Sequence, residues 1–290
     1  MNRQGRVGIL VSLRYFAPDA RLNGLISSYY LFEADEPQIS DILRAELAQA
    51  RFVVRGATRL IAQDGGIIYC PPAMLIGSTS SSFTFEVDGP CVVAGAGLMP
   101  AGWAALIGCS ADELADTVLP FDEVAGAIVA RTLGRLQSSG CVDGVPAALD
   151  ALFLTLAERA RSVPLWFTKA TDDWLTASPS PQVDDLIAST GVSARQVERL
   201  AKRYYGASPK LLARKYRALQ AAVRMGTGAA PDWAEAAGEH FYDQSHFIRE
   251  FKQFVGMTPN KFVVESAPIM RLTIAGRQAL PGMPKLALYS

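Results

Sequence analysis

The chain has 290 residues, half of them hydrophobic, with 28 basic against 28 acidic side chains and two histidines. That length calls for two domains, each with its own core, and the apolar share excludes a disordered chain. No run of eighteen apolar residues is present, so a membrane-spanning helix is not expected, and Arg3 and Arg6 before Val7–Leu13 lack the long apolar region and small-residue cleavage site of a signal peptide.

Residues 1–120 read as mostly strand. Val7–Leu13, Ser28–Glu33, Arg51–Val54, Thr58–Ile61, Ile67–Cys70, Met74–Thr79, Phe83–Val87 and Cys91–Ala96 are short apolar or alternating runs. Gly-Gly, Pro-Pro, Ser-rich and Asp-Gly-Pro breaks separate them. Many short, evenly spaced strands suggest a barrel or a sandwich. Helices follow at Gly102–Ile107, Ala111–Ala115, Val124–Leu136 and Val145–Arg161, with Asp112-Glu113 and Asp122-Glu123 placed to complement helix N-termini. The four cysteines, at 70, 91, 109 and 141, form no CxxC pair and read as reduced thiols of a cytoplasmic protein.

Trp166–Ser180 carries Thr, Ser, Asp and Pro and is the expected boundary, giving an N-terminal domain over 1–174, a second over 175–265 and a tail over 266–290. Charge divides along the same lines: 13 basic against 19 acidic residues in the first part, 12 against 9 in the second and 3 against none in the tail. A modest basic excess in the second part suits phosphate contact without requiring it. The tail has three prolines and no clear period, and it reads as either wrapped or disordered.

The second part contains one unit written twice. A shift of fifty residues lays Ser193 on Asp243, Val197 on Phe247, Arg199 on Arg249, Lys202 on Lys252, Gly206 on Gly256 and Pro209 on Pro259. Each copy opens on a capping residue and closes on Gly followed by Ser-Pro or Thr-Pro after one residue; Ser193 and Gln196 have the capping-box form. Val197, Leu200, Ala201 and Tyr204 make one apolar stripe, and Phe247, Ile248, Phe251 and Phe254 make the other. Short helical patterns precede each, at Val183–Thr190 and Trp233–Glu239, and a linking helix is expected over Leu211–Met225. Helix, brief turn, helix with a polar outer face is a helix-turn-helix, whose second helix fits the major groove.

The runs Gly191–Lys210 and His240–Pro259 resemble the two helix-turn-helix motifs of the AraC/XylS family of bacterial transcription regulators. The resemblance covers residues 180–264, with one departure: the family usually has Gly where His240 stands, a turn position where φ > 0 is expected. It implies an α+β multidomain chain: a β-rich N-terminal domain resembling a cupin-like barrel with flanking helices, and an all-α C-terminal domain with two helix-turn-helix motifs joined by a linker helix. By position in the family pattern, Arg195, Glu198 and Arg199 of the first helix, and Gln244, Ser245, His246 and Arg249 of the second, would face base edges. Lys202, Arg203, Lys210 and Lys252 would hold phosphates. The implied partner is double-stranded promoter DNA, and activation is the commoner family behaviour. RNA polymerase, a small-molecule effector and a second copy of the chain are open as further partners.

Catalytic readings fare worse. The first 239 residues contain no histidine, so the usual metal-binding barrel chemistry lacks its ligands, and no metal or other cofactor is expected. Ser78–Ser82 is a serine-rich turn whose only histidines lie in the other domain. Gly95-Ala-Gly97 lacks the rest of a phosphate-binding loop. Tyr29, Tyr30, Phe32, Trp103 and Trp166 either fill a core or line an effector pocket. The expected function is therefore sequence-specific DNA binding by a regulator that is not an enzyme, with a barrel enzyme carrying a DNA-binding appendage as the alternative.

Overall fold

The computed structural model describes residues 11–139, 144–230, 235, 244–265 and 268–290. The N-terminal part is one antiparallel sheet of eight strands: β1 (Val11–Phe16), β2 (Ile26–Ala34), β3 (Gln38–Leu43), β4 (Gln49–Ile61), β5 (Ile67–Tyr69), β6 (Ala73–Ile76), β7 (Phe83–Leu98) and β8 (Val118–Pro120). Its order is β1-β2-β7-β4-β6-β8, with β3 added to β7 and β5 to β4.

Two expected strand pairs prove to be single long strands. Arg51–Val54 and Thr58–Ile61 join in β4, because Gly56 at φ 84° absorbs an irregularity while pairing with β7 continues on both sides. Phe83–Val87 and Cys91–Ala96 likewise join in β7, the spine that pairs with β2, β3 and β4. Strands β3 and β8 were not anticipated. In β3 the buried positions alternate but one of them is Asp41, which hides the apolar pattern, and β8 has only three residues.

Alternation sends β2 side chains to two cores. Tyr29 and Leu31 face the helices α1 (Ile128–Ser139) and α2 (Gly144–Ala157), in a core with Phe52, Phe121, Leu149 and Phe153. The Tyr29 ring stacks on Phe153 at 6.2 Å, and its hydroxyl donates to Asp150 at 2.8 Å. Phe32 and Ala34 point the other way, joining Leu60, Met74, Phe85 and Val93.

The C-terminal part is helical: α3 (Leu165–Ala177), α4 (Val183–Thr190), α5 (Ala194–Tyr205), α6 (Pro209–Gly226), α7 (Gln244–Val255), α8 (Pro259–Glu265), α9 (Pro268–Ala279) and α10 (Lys285–Tyr289). Helix α3 packs Phe167, Trp174 and Leu175 into one core with Leu186, Val197, Tyr205 and Tyr216. A second core holds Leu219, Phe247, Phe251 and Phe262. Over residues 268–290 the tail takes the wrapped form of the two alternatives, as two helices. Ile269 of α9 enters the sheet's core, Met270 and Ile274 enter the α7 core, and Leu286 and Ala287 of α10 enter the α3–α6 core. No helix among the described residues is long and apolar enough to cross a membrane.

Candidate nucleic-acid interface

The repeat seen in the sequence is a repeat of geometry. Helix α5 starts at Ser193, whose Oγ accepts from Gln196 N at 3.3 Å while the Gln196 side chain accepts from Ser193 N at 3.3 Å. It ends at Gly206, φ 77°, whose N–H returns to Lys202 O at 2.9 Å. Helix α7 ends the same way: Gly256 has φ 91° and donates to Lys252 O at 3.0 Å. The helix that follows each glycine begins at proline, capped by Ser208 Oγ on Leu211 N in one copy and Thr258 Oγ1 on Lys261 N in the other. Gly191, at φ 65°, forms the turn between α4 and α5. Trp233–Glu239 apart from Glu235, and also His240 and Asp243, lie outside the described residues.

Arg195, Glu198, Arg199, Lys202 and Arg203 are all exposed on α5, opposite buried Val197, Ala201 and Tyr205. Glu198 and Lys202 pair across one turn at 2.9 Å, and that contact raises the Lys202 pKa. Arg203 leans over Tyr204, 5.8 Å from the ring centre. On α7, Gln244, Ser245, Arg249 and Lys252 are exposed and Phe247, Phe251 and Phe254 buried. Lys210 is exposed at the start of α6.

His246 differs from its neighbours. It is half-buried, and its Nε2 lies 3.3 Å from Oε1 of Glu250, a carboxylate only 1% exposed. Arg214 of α6 reaches the same oxygen with Nε at 2.5 Å, and Arg217 Nη1 lies 3.9 Å from the other. His246 thus belongs to a knot that joins α7 to α6. Sequence reasoning missed Glu250, although a signal existed. Under the fifty-residue shift it falls on Leu200 of the apolar stripe, so a carboxylate stands where the first copy has a core residue.

Sequence reasoning also missed what holds the two helices in place. The loop Ser78–Ser82, read as an ordinary turn, touches both copies and the helix between them. Ser78 Oγ donates to Tyr205 O at the end of α5 (2.8 Å), and Ser82 N donates to Gln253 O near the end of α7 (3.0 Å). Lys215 of α6 donates to Thr79 O at 2.8 Å and to Glu46 O at 2.7 Å. Ala45 N adds a bond to Phe254 O at 2.7 Å. Asp116 fixes the loop itself, accepting from Ser80 N at 2.7 Å and Ser80 Oγ at 2.5 Å; it sits at φ 59°, a strained conformation for a non-glycine residue. The closing glycines are needed here for space as well. A Cβ on Gly206 would lie 2.3 Å from Ser78 Oγ, and one on Gly256 2.4 Å from Ile42 Cγ2.

Tyr205 also ties α5 to α3. Its hydroxyl lies 2.6 Å from Asp172 Oδ1 and 2.8 Å from Thr168 O. One hydroxyl proton cannot serve both acceptors, whereas a protonated Asp172 donates to Tyr205 and frees it to donate to Thr168. Burial pushes the Asp172 carboxyl up to about 7, against the opposing hydrogen bond from Tyr205.

Among the described residues, no three His, Cys, Asp or Glu side chains gather as metal ligands. The family described as "Helix-turn-helix domain" matches residues 186–263, and a "Domain of unknown function (DUF6597)" matches residues 14–120. No curated protein matches the chain. Among solved structures, apo ToxT from Vibrio cholerae is 11% identical, covering 90% of this chain and 99% of its own, with a TM-score of 0.45. ToxT from the same organism with an unsaturated fatty acid bound is 10% identical, covering 90% and 97%, with a TM-score of 0.43. The AraC-like transcriptional activator CuxR is 11% identical, covering 67% and 80%, with a TM-score of 0.33.

Proposed function

We propose that the chain is a transcription regulator of the AraC/XylS family, on the helix-turn-helix match over residues 186–263, and that it binds promoter DNA sequence-specifically through α5 and α7, under the control of its β-rich domain. The observation that carries this reading is the pairing of the two copies: equal glycine ends, a capped helix starting at proline after each, and an exposed polar face on each helix. On this reading Arg195, Glu198 and Arg199, with Gln244, Ser245 and Arg249, read base edges, while Lys202, Arg203, Lys210 and Lys252 contact phosphates. His246 contributes less to base reading, since it leans on Glu250.

Control through the N-terminal domain is supported by the loop Ser78–Ser82. Two helices that enter successive major grooves must keep a spacing of about one DNA turn, roughly 34 Å. Helix α6, with 18 residues, spans about 27 Å of that separation. The ends of both reading helices and Lys215 between them rest on the same loop, so a shift of the sheet changes how the helices are presented to DNA. We read the output as activation and the protein as a binding protein without a reaction of its own. The test is selection of sites from random DNA by the full-length protein, followed by anisotropy titration of the selected duplex: a defined two-part site supports the proposal, and binding without sequence preference refutes it.

A further inference from the structure

We propose that Glu250 is the positioning residue that sets the specificity of α7: its buried carboxylate holds the His246 ring away from DNA, so that α7 reads bases with Gln244, Ser245 and Arg249 alone. This rests on the reading of α5 and α7 as the DNA-binding helices and says which side chains of α7 take part.

The first observation is where the carboxylate lies and what fixes it. Glu250 is 1% exposed, on a helix whose other buried residues are Phe247, Phe251, Phe254 and Val255. A charge at that depth persists where cationic or donor groups surround it. Arg214 of α6 meets Oε1 with Nε at 2.5 Å, and Arg217 Nη1 lies 3.9 Å from Oε2. Arg214 grips α7 twice more. Its Nη2 donates to Gln253 Oε1 at 3.2 Å, and its guanidinium carbon lies 5.9 Å from the centre of the Phe254 ring. Gln253 is itself held by the β-rich domain, its main-chain oxygen accepting from Ser82 N at 3.0 Å and Gln63 Nε2 at 2.8 Å. The Glu250 carboxylate is therefore a fixed point between α6 and α7.

The second observation is what that point does to His246. The histidine stands one turn earlier on α7, and its Nε2 lies 3.3 Å from the Oε1 that Arg214 holds. Its side chain is 33% exposed, whereas Gln244, Ser245, Arg249 and Lys252 are all open to solvent. An imidazole that bonded a base edge would have to leave the carboxylate. Solvent does not replace a lost partner at 1% exposure, so that step opposes DNA reading by His246.

The third observation comes from the repeat. Under the fifty-residue shift His246 falls on Gln196. Gln196 is occupied too, since its Oε1 accepts from Ser193 N at 3.3 Å and secures the start of α5. Both copies thus use this position to hold the helix, and leave Arg199 and Arg249 on the exposed face. The means differ because Glu250 falls on Leu200, which offers no carboxylate. The first copy ties the side chain to its own helix start, and the second ties it toward α6.

Site selection from random DNA by the full-length protein and three variants tests this. Glu250→Leu installs the residue of the first copy and leaves His246 without its carboxylate. It should gain a preference of roughly fivefold or more at one base pair, within the half of the site whose preference Arg249→Ala removes. Glu250→Leu combined with His246→Ala should lose that gain, a result that mere loosening of α7 on α6 would not produce. His246→Ala alone should select the same bases as the natural chain; it decides the matter if circular dichroism shows that Glu250→Leu does not fold. Preference lost at any position in His246→Ala, no gain in a folded Glu250→Leu, or a gain that survives removal of His246 would each overturn the role of Glu250. The two readings fail separately: a natural chain that selects no site refutes DNA reading itself, whereas a selected site that depends on His246 refutes the role of Glu250 alone.

Discussion

The Ser78 hydroxyl donates to the Tyr205 main-chain oxygen at 2.8 Å, so a side chain of the β-rich domain caps the last turn of α5. Ser78→Ala removes that donor and leaves a half-buried carbonyl short of a partner. A loss of about 1 kcal/mol is expected in denaturant unfolding of the full chain. The larger effect is expected from Gly206→Ala, which combines φ 77° with a Cβ 2.3 Å from Ser78 Oγ. It should cost more than the roughly 1 kcal/mol of the conformational term alone, and Ser78→Gly should recover part of it. Full additivity of the two changes would argue against contact between them.

Asp172 makes stability depend on pH in a stated direction. Its carboxyl titrates at about 7 in the folded chain, above the ordinary value of 3.8. Between those values the folded state holds a proton that the unfolded state has released, so stability falls as pH rises through that window. A shift of this size corresponds to on the order of 4 kcal/mol, an upper bound for a single group. Unfolding free energies at pH 5 and pH 8 should differ by less in Asp172→Asn than in the natural protein. An unchanged slope in the variant would show that another group carries the dependence.

The tail helix passes close over β1: a Cβ on Gly276 would lie 2.5 Å from the Tyr15 ring. Gly276→Val should therefore lift α9 and cost about 1–3 kcal/mol by overpacking. Limited proteolysis should then cut within residues 268–290 at a protease level that leaves the natural chain intact. Equal resistance of the two proteins would mean that the contact at Tyr15 does not seat the tail.

Much of this arrangement was legible in the sequence where a local rule spoke. Ser193 with Gln196, and Gly206 and Gly256 before their prolines, each have a short-range physical cause and the expected geometry, while the stripes are seen in part, with Tyr205 buried in place of Tyr204 and Ile248 only half-buried. Strands β4 and β7 were read in pieces, because turn-forming residues such as Gly56 and Asp88-Gly-Pro sit inside long strands that their neighbours keep paired. What could not be read was non-local. Nothing near Ser78 or Ser82 in the chain announces Tyr205 or Gln253, and the tail finds its place only because three separate cores leave room for Ile269, Ile274 and Leu286. Glu250 could have been noticed as the charged misfit of the repeat, but its partners Arg214 and Arg217 come from another helix.

Lys202 is exposed on α5, one turn from Glu198. As a phosphate contact it should act alike on all sequences. Lys202→Ala should weaken binding to specific and unrelated duplexes by the same factor and reduce the slope of log K against log salt by about one. Affinity lost on one duplex alone would assign Lys202 to base reading.

The central claim is that two matched helices read two halves of one site, and Arg199 and Arg249 occupy the same position in each. Site selection from random DNA with Arg199→Ala and with Arg249→Ala tests this most directly. Each variant should lose base preference at one end of the site only, at a cost of about 1–3 kcal/mol on the natural duplex, and the double variant should show nearly the sum. Loss of preference at the same base positions in both variants would contradict the claim.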